Sequence, residues 1–159
     1  MHSTMRYFVA AIFVALASFA APVFAQEMPT LTIGSPAGSL TLDRGELEAL
    51  GMVSIKTSTP WTQGVVDFQG VPLQRLLDKA GAKGTTVTVT ALNDYSVDIP
   101  VSDFAAFGPI LAIKRDGQYM PVDDKGPFFI IYPFDSDPKL QGQTYFGRAV
   151  WQVKAMTVQ

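Results

Sequence analysis

Apolar and polar positions alternate in short runs along most of this chain, and the runs are separated by turn residues. "TLTI" and "SLTL" alternate on either side of "GSPAG", which predicts a β-hairpin. Asp43 then opens a short helix: Asp43 can cap it, Glu46 can reach back, Leu47 and Leu50 share a face, and Gly51 stops it. "MVSIKT" and "VVDFQ" read as strands, the second broken by Gly70. From Pro72 the period changes: Leu73, Leu76, Leu77 and Ala80 recur at helical spacing until Gly81. "TTVTVTAL" is strongly β-branched and pairs with "YSVDIP" across an Asn93-Asp94 corner. "VSDFAAFG" predicts a turn or two of helix. "ILAIKRDGQYMPV" is the clearest hairpin, with Asp116-Gly117 at the tip. "FFIIYP" predicts a central, fully buried strand, and "RAVWQVKAMTV" a closing one. Between them "FDSDPKLQGQTYFG" is long, polar and broken by Gly and Pro, which predicts a functional or mobile loop. The fold class that follows is α+β, with a mixed, mostly antiparallel sheet or partial barrel and short helices.

Composition alters this picture at the N-terminus first. Arg6 precedes an apolar run from Tyr7 to Ala21, and small residues stand before a cut between Ala25 and Gln26. Residues 1–25 are therefore expected to be a secretory signal peptide, and residues 26–159 a single domain that is periplasmic or secreted. The apolar run is shorter than the roughly 20 residues that span a bilayer, so an uncleaved anchor is the weaker reading. No second run could span a membrane, so no stable membrane insertion is expected after cleavage.

Chemistry narrows next. The sequence contains no cysteine, so stability must come from packing and hydrogen bonds even in an oxidising compartment. The one histidine is His2, inside the expected signal, which leaves the mature chain without the usual proton shuttle or metal ligand. Ser-His-Asp and cysteine-nucleophile chemistry are thereby excluded. Twelve basic residues stand against 14 acidic ones without a basic cluster, which argues against nucleic acid as a partner. No phosphate loop or dinucleotide fingerprint is present.

Four segments in order carry a resemblance: "WTQGVVDFQGVPLQRLLDKAG", "ALNDYSVDIP", "ILAIKRDGQYMPVDDKGPFFIIYP" and "AVWQVKAMTV". Together they resemble the molybdopterin-binding oxidoreductase domain of the sulfite oxidase type, over most of Met52 to Val158. The resemblance rests on a G-x-P-L-x-x-LL helix start, a D-G-Y-like corner, a hairpin, a G-x-P strand and a Trp- or Lys-rich last strand. It implies that fold, and it implies a cleft in which a cysteine thiolate ligates molybdenum while cations and main-chain amides hold the pterin phosphate. Counting back from Gly70-Val71-Pro72-Leu73, the cysteine position falls close to Ser58, and Phe129 stands where the family often has an arginine. Both departures remove cofactor contacts. A serine hydroxyl ionises far less readily than a thiol and is a hard ligand, so it is a poor anchor for a thiophilic metal.

The cleft candidates implied by the resemblance are Lys56, Ser58, Trp61, Asn93, Asp94, Tyr95 and Lys125. Each has a plainer reading beside it. Ser58 is read first as a strand-end or capping residue. Trp61, aimed by Pro60 beside three hydroxyls, is either a core aromatic or a platform for a flat ligand. Asn93-Asp94-Tyr95 is either a turn closed by its own side chains or a binding corner. Asp123-Asp124 and Asp135-x-Asp137 are read as solvated turns, since no ligand pattern accompanies them. Tyr145 and Phe146, in the long loop, are better pocket or partner candidates than the apolar "FFIIYP" run.

These readings lead to an exported, non-catalytic module that binds a small ligand or a partner protein, with no catalytic residue, no metal and no resident cofactor expected. The alternative is an active periplasmic molybdopterin-dependent oxidoreductase with an altered ligand set centred on Ser58. A third reading makes the Phe134–Gly147 loop the dock for a membrane sensor or reductase protein.

Overall fold

The computed structural model describes residues 27–159; the expected signal peptide lies outside the described residues. Among the described residues, two five-stranded sheets and four short helices share one hydrophobic core. The first sheet has the order β2 (Gly38–Asp43), β1 (Thr30–Ser35), β10 (Val153–Val158), β5 (Thr86–Ala91), β6 (Ser96–Pro100). The predicted hairpin is present as β1 (Thr30–Ser35) and β2 (Gly38–Asp43), and β5 (Thr86–Ala91) pairs antiparallel with β6 (Ser96–Pro100). Between these hairpins lies β10 (Val153–Val158), antiparallel to β5 and parallel to β1. That pair is the single parallel ladder among the described residues, so the sheets are mostly antiparallel, and neither closes into a barrel.

The second sheet runs β3 (Val53–Thr57), β4 (Val66–Pro72), β7 (Ile110–Arg115). Along the outer side of β7, the short β9 (Phe129–Ile131) pairs with Ile110 to Ala112, and the two-residue β8 (Gln118–Tyr119) pairs with Lys114 and Arg115. Three of the helices form where they were expected. In α1 (Arg44–Ala49), the Asp43 carboxylate accepts from the Glu46 N–H at 2.8 Å, while the Glu46 carboxylate accepts from the Asp43 N–H at 2.9 Å. In α2 (Leu73–Ala80), Leu73, Leu76 and Leu77 are buried, and Gly81 ends the helix at φ +61°. The predicted turn of helix after β6 is α3 (Ser102–Phe107).

Three expectations are corrected. Gly70 does not break its strand: β4 continues through it to Pro72, with a register shift between Gln69 and Gly70. Glycine is required there by a close approach, because a Cβ would lie 2.0 Å from the Leu111 carbonyl oxygen. "FFIIYP" is not a central strand. Only three of its residues form β9, which has a regular ladder on one side alone. Its burial comes from the irregular segment packed on the other side, where the Ile130 N–H donates to the Val150 carbonyl at 2.9 Å and the Val153 N–H to Phe128 at 3.0 Å. Finally, the long "loop" is mostly ordered turns: 3-10 turns at Phe134–Ser136 and Pro138–Gln141, then α4 (Gln143–Arg148). Arg148 therefore belongs to a helix, and the closing strand begins only at Val153.

Candidate functional site

The stretch Thr57-Ser58-Thr59-Pro60-Trp61 leaves the end of β3 and turns across the sheet edge. Its hydroxyls are fully engaged. The Ser58 N–H and hydroxyl donate to the two oxygens of the Asp135 carboxylate at 2.6 and 2.5 Å. Buried Thr57 accepts from the Asp135 N–H at 3.1 Å, and Thr59 accepts from the Trp61 N–H at 3.2 Å. Asp135 thus ties the turn after β9 to the end of β3. The donated bonds, first the Ser58 hydroxyl and then its N–H, hold this carboxyl below the usual carboxylate range.

Trp61 is consequently fixed among four rings. It meets Phe129 at 5.8 Å, Phe134 at 6.3 Å, Phe146 at 5.9 Å and Trp151 at 5.5 Å, all edge to face, the arrangement that aromatic quadrupoles favour. Phe129 is wholly enclosed, packed also on Phe68 at 6.0 Å.

The β5–β6 corner faces this cluster. The Asn93 side-chain oxygen accepts from the Tyr95 N–H at 3.2 Å, the Asp94 N–H donates to Ala91 at 3.0 Å, and Asp94 takes φ +66°. Lys154 of β10 pairs with the Asp94 carboxylate. Corner and cluster together bound a cleft of about 320 Å³, walled by Trp61, Asn93, Tyr95, Phe146 and Trp151, with small residues of the segment before β10 at its base. Tyr95 is 56 % exposed and Trp151 39 %, so both rings keep accessible surface. No acid or base lines this cleft.

Of the seven candidates, the structure brings together Trp61, Asn93 and Tyr95. Ser58 is adjacent in sequence but bound to Asp135. Asp94 is on the same corner yet faces Lys154. Lys56 is exposed on β3, across from Asp67. Lys125 pairs with Asp124 at 3.3 Å, while its carbonyl accepts from the Gln152 N–H at 3.1 Å. Phe146 lines the cleft as expected of a loop aromatic, but Tyr145 is core, edge to face with Phe107 at 5.2 Å and Tyr132 at 5.6 Å. Sequence reasoning missed Trp151, hidden inside an alternating run that looked like plain strand. It also missed Asp135 as a latch, since its partner lies 77 residues away.

A second polar junction holds the far wall. Asp103 of α3, nearly buried, accepts from the Tyr132 hydroxyl and from the Arg148 guanidinium, each at 2.7 Å. Burial pushes the Tyr132 hydroxyl far above its ordinary range, and the bond to Asp103 acts in the same direction, so it stays protonated and donating.

These residues do not suit a molybdenum centre. The soft anionic donor is absent, and the hydroxyl nearest its position is already given to a carboxylate. That carboxylate puts a negative charge, not a cation, beside Ser58. Phe129, where an arginine is expected from the resemblance, fills its space with a ring.

A family model described as the oxidoreductase molybdopterin binding domain matches residues 41–134. The chain therefore belongs to the oxidoreductase molybdopterin-binding domain family. Among solved structures it is similar to the sulfane dehydrogenase SoxCD from Paracoccus pantotrophus, with a TM-score of 0.60 and 16 % identity. The match covers 82 % of this chain but 38 % of that one, so this chain spans well under half the length of the relative, and the likeness is one of fold. No curated protein matches the chain.

Proposed function

We propose that this protein is an exported, non-catalytic binding or sensing module of its family, which holds a small, neutral, planar ring in the cleft between Trp61 and the Asn93–Tyr95 corner. The family's name points to pterin chemistry, and the cleft suits the ring of a pterin rather than its metal- and phosphate-bearing form. A flat bicyclic ring can stack on one exposed aromatic face, Trp151 or Tyr95, and meet the others by their edges, whereas a phosphate would meet no cation in the lining. The single observation that carries this reading is an uncharged aromatic cleft beside a Ser58 already committed to Asp135.

The test has two parts. Protein isolated from its native host is analysed for molybdenum and pterin, and the purified chain is titrated with an unphosphorylated pterin while tryptophan fluorescence is followed. Saturable quenching without stoichiometric molybdenum is expected. One molybdenum atom per chain, lost on Ser58→Ala, would establish the oxidoreductase alternative instead.

A further inference from the structure

The geometry points to Asn93 as the residue that selects among flat rings, by donating hydrogen bonds to a ligand whose edge carries acceptors. This rests on the reading of the cleft as a ring site. An amide side chain has one accepting oxygen and one donating nitrogen. The Tyr95 backbone N–H is a donor, so the Asn93 atom facing it at 3.2 Å must be Oδ1. That leaves Nδ2 as the free polar edge of a residue that lines the cleft. Among the described residues no acceptor takes a bond from it.

The corner that carries Asn93 is held independently of any ligand. The Ala91 N–H donates to the Tyr95 carbonyl at 2.8 Å, the Asp94 N–H donates back to Ala91, and Lys154 pairs with Asp94 from the neighbouring strand. The amide is therefore oriented before anything binds, and little ordering cost remains at the moment of recognition. The preferred ligand class is a neutral heteroaromatic with ring nitrogens or a carbonyl at the rim that meets Asn93. A hydrocarbon ring of the same size would stack equally and leave the amide unmatched.

Quinoxaline and naphthalene test this directly, since they share a shape and differ in two ring nitrogens. Binding is read from the indole N–H resonances of Trp61 and Trp151 in two-dimensional NMR. The unaltered protein is expected to prefer quinoxaline by about 10-fold, the scale of one or two net hydrogen bonds. Asn93→Asp keeps an oxygen for the Tyr95 N–H, and so keeps the corner, but replaces the donor with a carboxylate. It is expected to abolish the preference by weakening quinoxaline binding more than naphthalene binding. A Tyr95 amide that stays protected from solvent exchange in the variant confirms the corner. Equal affinity for the two rings in the unaltered protein, or a preference that survives Asn93→Asp, overturns this inference alone. Failure of both rings to bind overturns the ring-site reading and this inference together.

Discussion

The segment from Asp135 to Arg148 is tied down at both ends, and the ties are of opposite kinds. At its start an exposed carboxylate collects neutral donors from Ser58, so water competes for the bond. At its end a guanidinium reaches a nearly buried carboxylate that also serves the hydroxyl of fully buried Tyr132. Removing a partner from the second tie strands charge in the interior; at the first, solvent substitutes for whatever is lost. Between the two, Phe146 is presented to the cleft. The two anchors thus join different parts: the buried one holds α4 to α3, and the exposed one holds the turn after β9 to the end of β3 beside Trp61.

The largest effect expected from this contrast comes at the buried end. Asp103→Ala should destabilise the protein by about 3–5 kcal/mol, because Arg148 and Tyr132 lose a common acceptor. Urea denaturation measures it, and a loss below ~1 kcal/mol would mean that water already reaches the junction. Trp61→Ala comes next. It should cost about 2–3 kcal/mol, less than the ~3–5 for a fully enclosed ring because Trp61 is only partly buried, and it should abolish pterin-induced fluorescence change. Ser58→Ala should cost only about 1 kcal/mol, since a hydrogen bond to an exposed carboxylate is screened. Its sharper signature is an Asp135 carboxyl that titrates closer to the ordinary range by carbon-13 NMR; an unmoved titration would break the contrast.

The smallest effect lies outside the segment and calibrates it. The Arg115 guanidinium beside Asp124, helped by Lys125, lowers that carboxyl from 3.8 to about 2. A depressed carboxylate stabilises the fold above its unfolded pKa and loses that contribution as pH falls through the folded one. Stability attributable to Asp124 should therefore fade between about pH 4 and pH 2. Arg115→Gln should flatten that part of the denaturation profile.

Local chemistry made much of this molecule legible from its sequence. The Asp43 capping box, the leucine face of α2, the glycine stop at Gly81 and the Asp116-Gly117 turn depend on neighbours within a few residues, and all are present. The expectations that failed depend on distant partners. Gly70 looked like a breaker because nothing nearby announces the Leu111 carbonyl pressed against it. The burial of β9 is supplied by residues 149–153, and no periodicity in "FFIIYP" can express that. At the site, Trp61 and the Asn93–Tyr95 corner were legible as rigid local features. That they face each other, with Trp151 between, follows only from how the two sheets are joined.

One topological detail bears on how the chain comes to be assembled. The strand wedged between the two hairpins of the first sheet is β10, which follows every other described strand in sequence. Until Val153 to Val158 have been synthesised, the earlier hairpins have no common neighbour and that layer stays open. Slow closure is the expected kinetic price of pairings this far apart along the chain. A product cut short before Val153 would present two unpartnered edges to whatever it meets.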